Sequence, residues 1–188
     1  MGSLGLHIAP NDVSASANGV VTFSSAKTAA AWFADGFYLD VAGRVREAIV
    51  AYRYALEMDP FHTSAWHNLS LVFARVQRFA ECERCLNEIL RLDEHHFRAM
   101  LTYGNVKFFE GDLKAAQVWY ERALAIAPNY QKALSNCALV CELSGQCAKS
   151  HALRCRLLHL DPHEPISLAA DATCAGVLIA RSHREGAA

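Results

Sequence analysis

Apolar and polar residues in the central part of the chain alternate with a helical period, and this pattern recurs every 34 residues. Pro60, Pro128 and Pro162 fall at multiples of that spacing. Within each period two amphipathic stretches are separated by a break, which glycine marks in three of the four periods. The pattern predicts pairs of helices, over about 29–42 and 45–58 in the first period.

The register of the repeats places small and large residues at fixed positions. In the first repeat, Gly36 and Ala48 are small enough for two helices to approach closely, whereas Trp32 and Tyr52 fill the space between successive pairs. A single helix pair cannot bury its apolar face, so neighbouring pairs must stack. The expected fold is therefore an all-α solenoid with repeat boundaries at 29–62, 63–96, 97–130 and 131–164.

These positions resemble the tetratricopeptide repeat family over about three quarters of the chain. The residues that carry the resemblance are Trp32, Gly36, Ala48, Tyr52, Ala55 and Pro60 in repeat one, and Gly104, Ala116, Tyr120, Ala123 and Pro128 in repeat three. Repeats two and four depart from the pattern, with Cys82 and Glu94 in one and Ser150 and Arg154 in the other. The resemblance implies a right-handed superhelical solenoid of helix-turn-helix units, in which the first helix of each pair lines a concave face.

The two ends of the chain differ from the repeats. Residues 1–28 are rich in Ser, Ala, Asn and Gly and show no helical period, so we expect a flexible or extended arm. Residues 165–188 are expected to form a C-terminal capping helix and tail, because Pro165 suits a first helical position. Since this segment has few charges, the alternative is that it docks onto another subunit.

Composition narrows the functional classes. The formal charge of −1 argues against a nucleic-acid partner. The sequence contains no run of 18 apolar residues, so we expect no membrane span. The odd number of cysteines, seven, predicts a cytoplasmic or other reducing intracellular compartment.

The resemblance also implies which side chains face the concave groove. The candidate peptide-binding residues are Phe33, Phe37, His67, Asn68, Leu71, Arg98, Leu101, Asn105, Phe108, Lys132, Asn136 and Leu139. Related proteins hold peptide backbones with asparagines at such positions, since an amide offers a donor and an acceptor. The alternative is that these asparagines contact neighbouring repeats or water.

One specific site of the family is predicted to be absent. The carboxylate clamp that grips chaperone C-termini needs a set of lysines, asparagines and an arginine, of which only Asn68 and Arg98 are present when the set is aligned from repeat one. Phe33 and Phe37 replace the first pair, and Thr102 replaces the final arginine. Without these cations a carboxylate has little to pair with.

Candidate chemistry elsewhere is sparse. Cys82 and Cys85 form a Cys-x-x-Cys inside a predicted helix, where free cysteine commonly serves as a small buried hydrophobe. A larger cluster, and the best metal candidate, comprises Cys137, Cys141, Cys147, His151 and Cys155. The histidines near the repeat ends, such as His62, His95 and His96, are expected to be exposed turn residues.

The sequence predicts no enzyme, no cofactor and no metal site. It favours a non-catalytic interaction module, an adaptor or subunit of a larger assembly, that binds a protein segment in the concave groove. Two alternatives stay open: a chaperone that shields an apolar client segment, and a metal- or thiol-dependent protein that uses the cysteine and histidine cluster of repeat four.

Overall fold

The computed structural model describes residues 27–160, which contain eight α-helices and no strand. The helices are α1 (Ala29–Val41), α2 (Val45–Met58), α3 (Thr63–Arg75), α4 (Phe79–Leu92), α5 (Phe97–Phe109), α6 (Leu113–Ile126), α7 (Gln131–Leu143) and α8 (Cys147–Leu160). The first predicted helix pair agrees with the observed bounds to within one residue. None of these helices is long and apolar enough to cross a bilayer.

The helices pack as four successive pairs. Each odd-numbered helix packs on the helix that follows it, and α1, α3, α5 and α7 also contact one another in sequence. Apolar side chains between the pairs form two clusters, which Leu90 and Trp119 join because each packs against both. This arrangement confirms the predicted all-α solenoid. The proposed arm and capping helix fall almost entirely outside the described residues.

A close approach between the two helices of a pair depends on glycine. A Cβ atom on Gly36 would lie 2.7 Å from the Tyr52 ring, and one on Gly104 would overlap the Tyr120 ring. Both tyrosines are essentially fully buried. Repeat two has Ser70 and Leu86 at the same positions, so a larger residue on the first helix of the pair is matched by a smaller residue on the second.

The turn inside each pair has a left-handed residue. Gly43, Gly111 and Gly145 have φ values of 74°, 83° and 74°, and Gln77 takes the same position in repeat two with φ of 59°. The residue after each of them donates to a carbonyl five positions earlier, as Arg44 N does to Leu39 O at 2.8 Å. These bonds satisfy carbonyl groups at the C-termini of the first helices. The left-handed backbone explains why glycine is common at this position.

The turns between pairs give some histidines a capping role, which corrects the expectation that they are simply exposed. His62 Nδ1 accepts from Ala65 N at 3.3 Å, and His96 Nδ1 accepts from Ala99 N at 3.1 Å. Both rings are half-buried, and the two histidines are the N-cap residues of α3 and α5. His95 is exposed as expected, with 71% of its side chain accessible, and His163, for which the same was expected, lies outside the described residues.

Repeat four contains a buried ion pair where repeats one and three have tyrosine. Arg154 on α8 pairs with Glu142 on α7, and their side chains are only 7% and 10% exposed. Arg154 occupies the register position of Tyr120, opposite Ala138. A buried charge without its partner is strongly destabilising.

We expect Gly104→Ala to lower the free energy of unfolding by about 1–3 kcal/mol, because overpacking against Tyr120 outweighs the gain in helix propensity. Adding Tyr120→Leu should reduce that penalty, since the pair then approaches the Ser70 and Leu86 arrangement. The measurement is urea unfolding followed by circular dichroism. Ser70→Ala is the matched control, because a Cβ is already present there; an equal loss in that control would contradict the explanation.

Truncating one member of the buried ion pair should cost more than replacing both. Arg154→Leu leaves Glu142 buried without its arginine, and we expect a loss of about 3–5 kcal/mol in thermal or urea unfolding. Glu142→Leu together with Arg154→Leu should recover at least half of it. If the double variant is less stable than the single one, the pair contributes more than the desolvation cost of its charges.

Candidate functional site

The odd-numbered helices form a groove whose most regular feature is a series of exposed apolar residues. Phe37, Leu71 and Leu139 occupy the ninth position of repeats one, two and four, and they are 48%, 42% and 41% exposed. Asn105 occupies the same position in repeat three and is half-buried. Large apolar side chains are thus held open to solvent at one point of three different repeats.

A cavity of about 440 Å³ lies at one end of this groove. Its lining residues are Phe33, Phe37, Ser64, His67, Asn68, His96 and Arg98. Five of them belong to the set predicted from the sequence, so the structure brings these five together. Ser64 and His96 were not in that set. His96 was left out because its position at a repeat boundary predicts an exposed turn residue.

The other predicted groove residues have different surroundings. Leu101 is only 7% exposed and belongs to the second apolar cluster, against which the half-buried Phe108 also packs. Lys132 is exposed. Leu101 therefore packs in the core beneath the groove surface, whereas Leu71, Leu139 and Lys132 are exposed and accessible to a ligand.

The three groove asparagines are tied to neighbouring helices. Asn68 Nδ2 donates to Tyr52 Oη at 3.3 Å, and Asn105 Oδ1 accepts from Tyr120 Oη at 2.9 Å and from Asn136 Nδ2 at 2.8 Å. The second alternative from the sequence, contact between repeats, is thus realised. Within residues 27–160 the opposite end of each amide has no hydrogen bond, so peptide binding through those atoms stays a prediction.

Charge in the groove is mainly positive around His67. The pKa of His67 is lowered to about 4 because burial disfavours the charged ring, and His96 and Arg98 add repulsion. The His67 and His96 rings lie 5.7 Å apart. Farther along, Arg75 pairs with Asp40 and so links α3 to α1.

The cysteine cluster of repeat four separates into two parts. Cys137 and Cys141 are fully buried in the second apolar cluster, and burial raises the pKa of the Cys137 thiol to about 12. Cys155 Sγ lies 3.5 Å from His151 Nε2 on the partly exposed side of α8. Between residues 27 and 160, no three His, Cys, Asp or Glu side chains are grouped to hold a metal ion.

Comparison with known proteins agrees with this architecture. The family model for the tetratricopeptide repeat matches residues 97–130, which are the third repeat. Human tetratricopeptide repeat protein 7B is 26% identical over 115 residues, which are 56% of this chain and 14% of that protein. A crystal structure of a MamA protein superposes with a TM-score of 0.65 and 21% identity, over 72% of this chain and 74% of that one.

Residues 97–130 are a tetratricopeptide repeat, and the described residues have the fold of solved tetratricopeptide repeat proteins. Their fold is also that of the first repeat domain of Spaghetti (RPAP3), solved with an HSP90 peptide bound, with a TM-score of 0.59 and 24% identity. That match covers 63% of this chain and 94% of that domain. These structural similarities show the fold alone, and the chain spans about one seventh of the length of the curated relative it matches.

The lowered pKa of His67 predicts a stability loss in acid. Between pH 6.5 and pH 4 the unfolded chain binds a proton at this residue that the native state resists, so stability falls as the pH falls. We expect a contribution of about 1–2 kcal/mol lost between pH 7.5 and pH 5. Urea unfolding of His67→Gln should show a correspondingly smaller drop. The exposed His95→Gln is the control; an unchanged drop in His67→Gln would show that His67 titrates normally.

Proposed function

We propose that the chain is a non-catalytic protein-interaction module that binds a protein segment in its concave groove, as an adaptor or subunit of a larger assembly. The observation that carries this proposal is the recurrence of exposed apolar side chains at one register position, Phe37, Leu71 and Leu139. Exposed apolar side chains that share one surface mark interaction sites, because their burial against a partner is favourable.

The spacing of these side chains suits a segment that follows the groove. Packed helices lie about 8–10 Å apart, and three residues of an extended chain rise about 10 Å. A bound segment would therefore offer a side chain to successive repeats at about every third residue. A helical segment meets the same spacing about once every seven residues, since each residue rises about 1.5 Å.

Polar groups beside these apolar residues would position the segment. Asn68, Asn105 and Asn136 each use one end of the amide between helices and keep the other end for a ligand. Arg98 and Lys132 are exposed cations along the groove and favour a segment with an acidic residue. The carboxylate clamp remains predicted to be absent, and micromolar binding of a chaperone C-terminal peptide that depends on Arg98 would overturn that expectation.

The groove is tested by affinity capture of partners from cells, with the captured proteins identified and quantified by mass spectrometry. The triple variant Phe37→Ala, Leu71→Ala and Leu139→Ala should reduce recovery of the specific partner at least tenfold, because it removes the exposed apolar surface while leaving the core unchanged. Helical circular dichroism should stay the same.

The matched control removes apolar surface from the even-numbered helices. Val50 and Val118 are 50% and 55% exposed on α2 and α6, so Val50→Ala with Val118→Ala should leave recovery unchanged. Equal recovery by the groove variant and wild type would contradict binding in the groove. Equal loss in the control would place the contact on the outer face.

A chaperone function depends on the same exposed residues, since shielding a client requires an open apolar surface. The two functions differ in what happens to the client. A chaperone should raise the soluble yield of its isolated client, whereas an adaptor should bind a client that is already stable. A reducing compartment suits either one, because every cysteine within residues 27–160 is a free thiol.

A further inference from the structure

A second and larger cavity, of about 680 Å³, is lined by α2, α3 and α4 and shares no residue with the groove cavity. We call it the outer hollow. Its lining residues are Arg53, Leu56, Glu57, Trp66, Leu69, Phe73, Glu81, Arg84, Cys85, Asn87 and Glu88. The volume falls in the range of about 300–1,000 Å³ that ligand sites occupy.

The next repeat shows what fills the equivalent space. Between α4 and α6, Trp119 stacks on Tyr103 with ring centroids 4.3 Å apart and an interplanar angle of 12°. Trp119 also packs against both apolar clusters. At the same register positions, the outer hollow has Cys85 in place of Trp119 and Leu69 in place of Tyr103. Two side chains smaller than the rings thus leave open a space that two stacked rings occupy one repeat later.

The rim of the outer hollow favours an aromatic ring over an aliphatic group. Arg122 lies 4.3 Å from the Trp119 ring centroid in the filled interface, which is a cation–π contact. The outer hollow has Glu88 at the register position of Arg122, and Glu88 and Glu81 pair with Arg91 and Arg78. Its cations come instead from Arg53 and Arg84, neither of which forms an ion pair within the described range 27–160. Arg53 already lies 6.0 Å from the Phe73 ring.

We propose that the outer hollow binds an aromatic side chain, of the size of an indole, presented by a protein partner. The incoming ring would take the place that Trp119 occupies in the next interface, against Leu69 and Cys85 and between the two arginines. Cys85 serves only as an apolar wall, because burial raises the pKa of its thiol to about 12. This site is separate from the concave groove, so it stands or falls independently of the proposed function.

The test uses N-acetyl-tryptophanamide as the probe and the full chain labelled with nitrogen-15. We expect saturable shifts of amide resonances around Leu69 and Cys85, with a dissociation constant on the order of millimolar for so small a ligand. The cyclohexylalanine analogue should bind at least threefold more weakly, since it lacks a π face. Shifts located around Phe33 and His67 instead, or equal binding of the two probes, would overturn the proposal.

A variant supplies the second part of the test. Cys85→Trp places an indole where repeat three has one, and it should weaken probe binding at least tenfold while the helical content is retained. Phe37→Ala is the matched control in the concave groove and should leave probe binding unchanged. Unchanged binding in a folded Cys85→Trp would overturn the proposal. If that variant does not fold, the location of the shifts in the wild-type chain decides the question alone.

Discussion

The contact between a glycine on the first helix of a pair and a tyrosine on the second underlies both the packing and the groove of this protein. Without a side chain on Gly36 or Gly104, the rings of Tyr52 and Tyr120 pass close to the backbone of the first helix. Each hydroxyl then reaches an asparagine on the groove side. The same contact that holds a pair together therefore also orients the amides beside the proposed ligand.

The sequence is informative where packing imposes a strict register. Close helix contact requires Gly36 to be small, and a left-handed turn favours Gly43, so the helix pairs and their stacking are predictable from residue spacing. The groove is less predictable because position in a repeat does not determine exposure. Phe33, His67 and Leu101 share the fifth position of their repeats and were all expected to face a ligand. Phe33 and His67 line the groove cavity, but Leu101 is buried, since Met100 and Leu101 fill the junction with the fourth pair.

The features that sequence reasoning missed depend on pairs of residues from different helices. His96 lies in a turn between helix pairs, but its side chain both caps the N-terminus of α5 and lines the groove cavity. The outer hollow arises because Cys85 and Leu69 are small together, although each is an ordinary core residue alone. The outer hollow could be identified from the sequence by comparing the residues at each packed pair of positions between one repeat and the next.

Repeat two is one of the two repeats that depart from the family pattern, and both cavities meet there on α3. One face of this helix contributes Ser64, His67 and Asn68 to the groove cavity, whereas another contributes Trp66, Leu69 and Phe73 to the outer hollow. Substitutions on α3 therefore affect two surfaces at once, whereas those on the flanking helices separate them. The room on the outer side of this repeat exists because Leu69 and Cys85 are smaller than Tyr103 and Trp119, which fill the same register positions one repeat later.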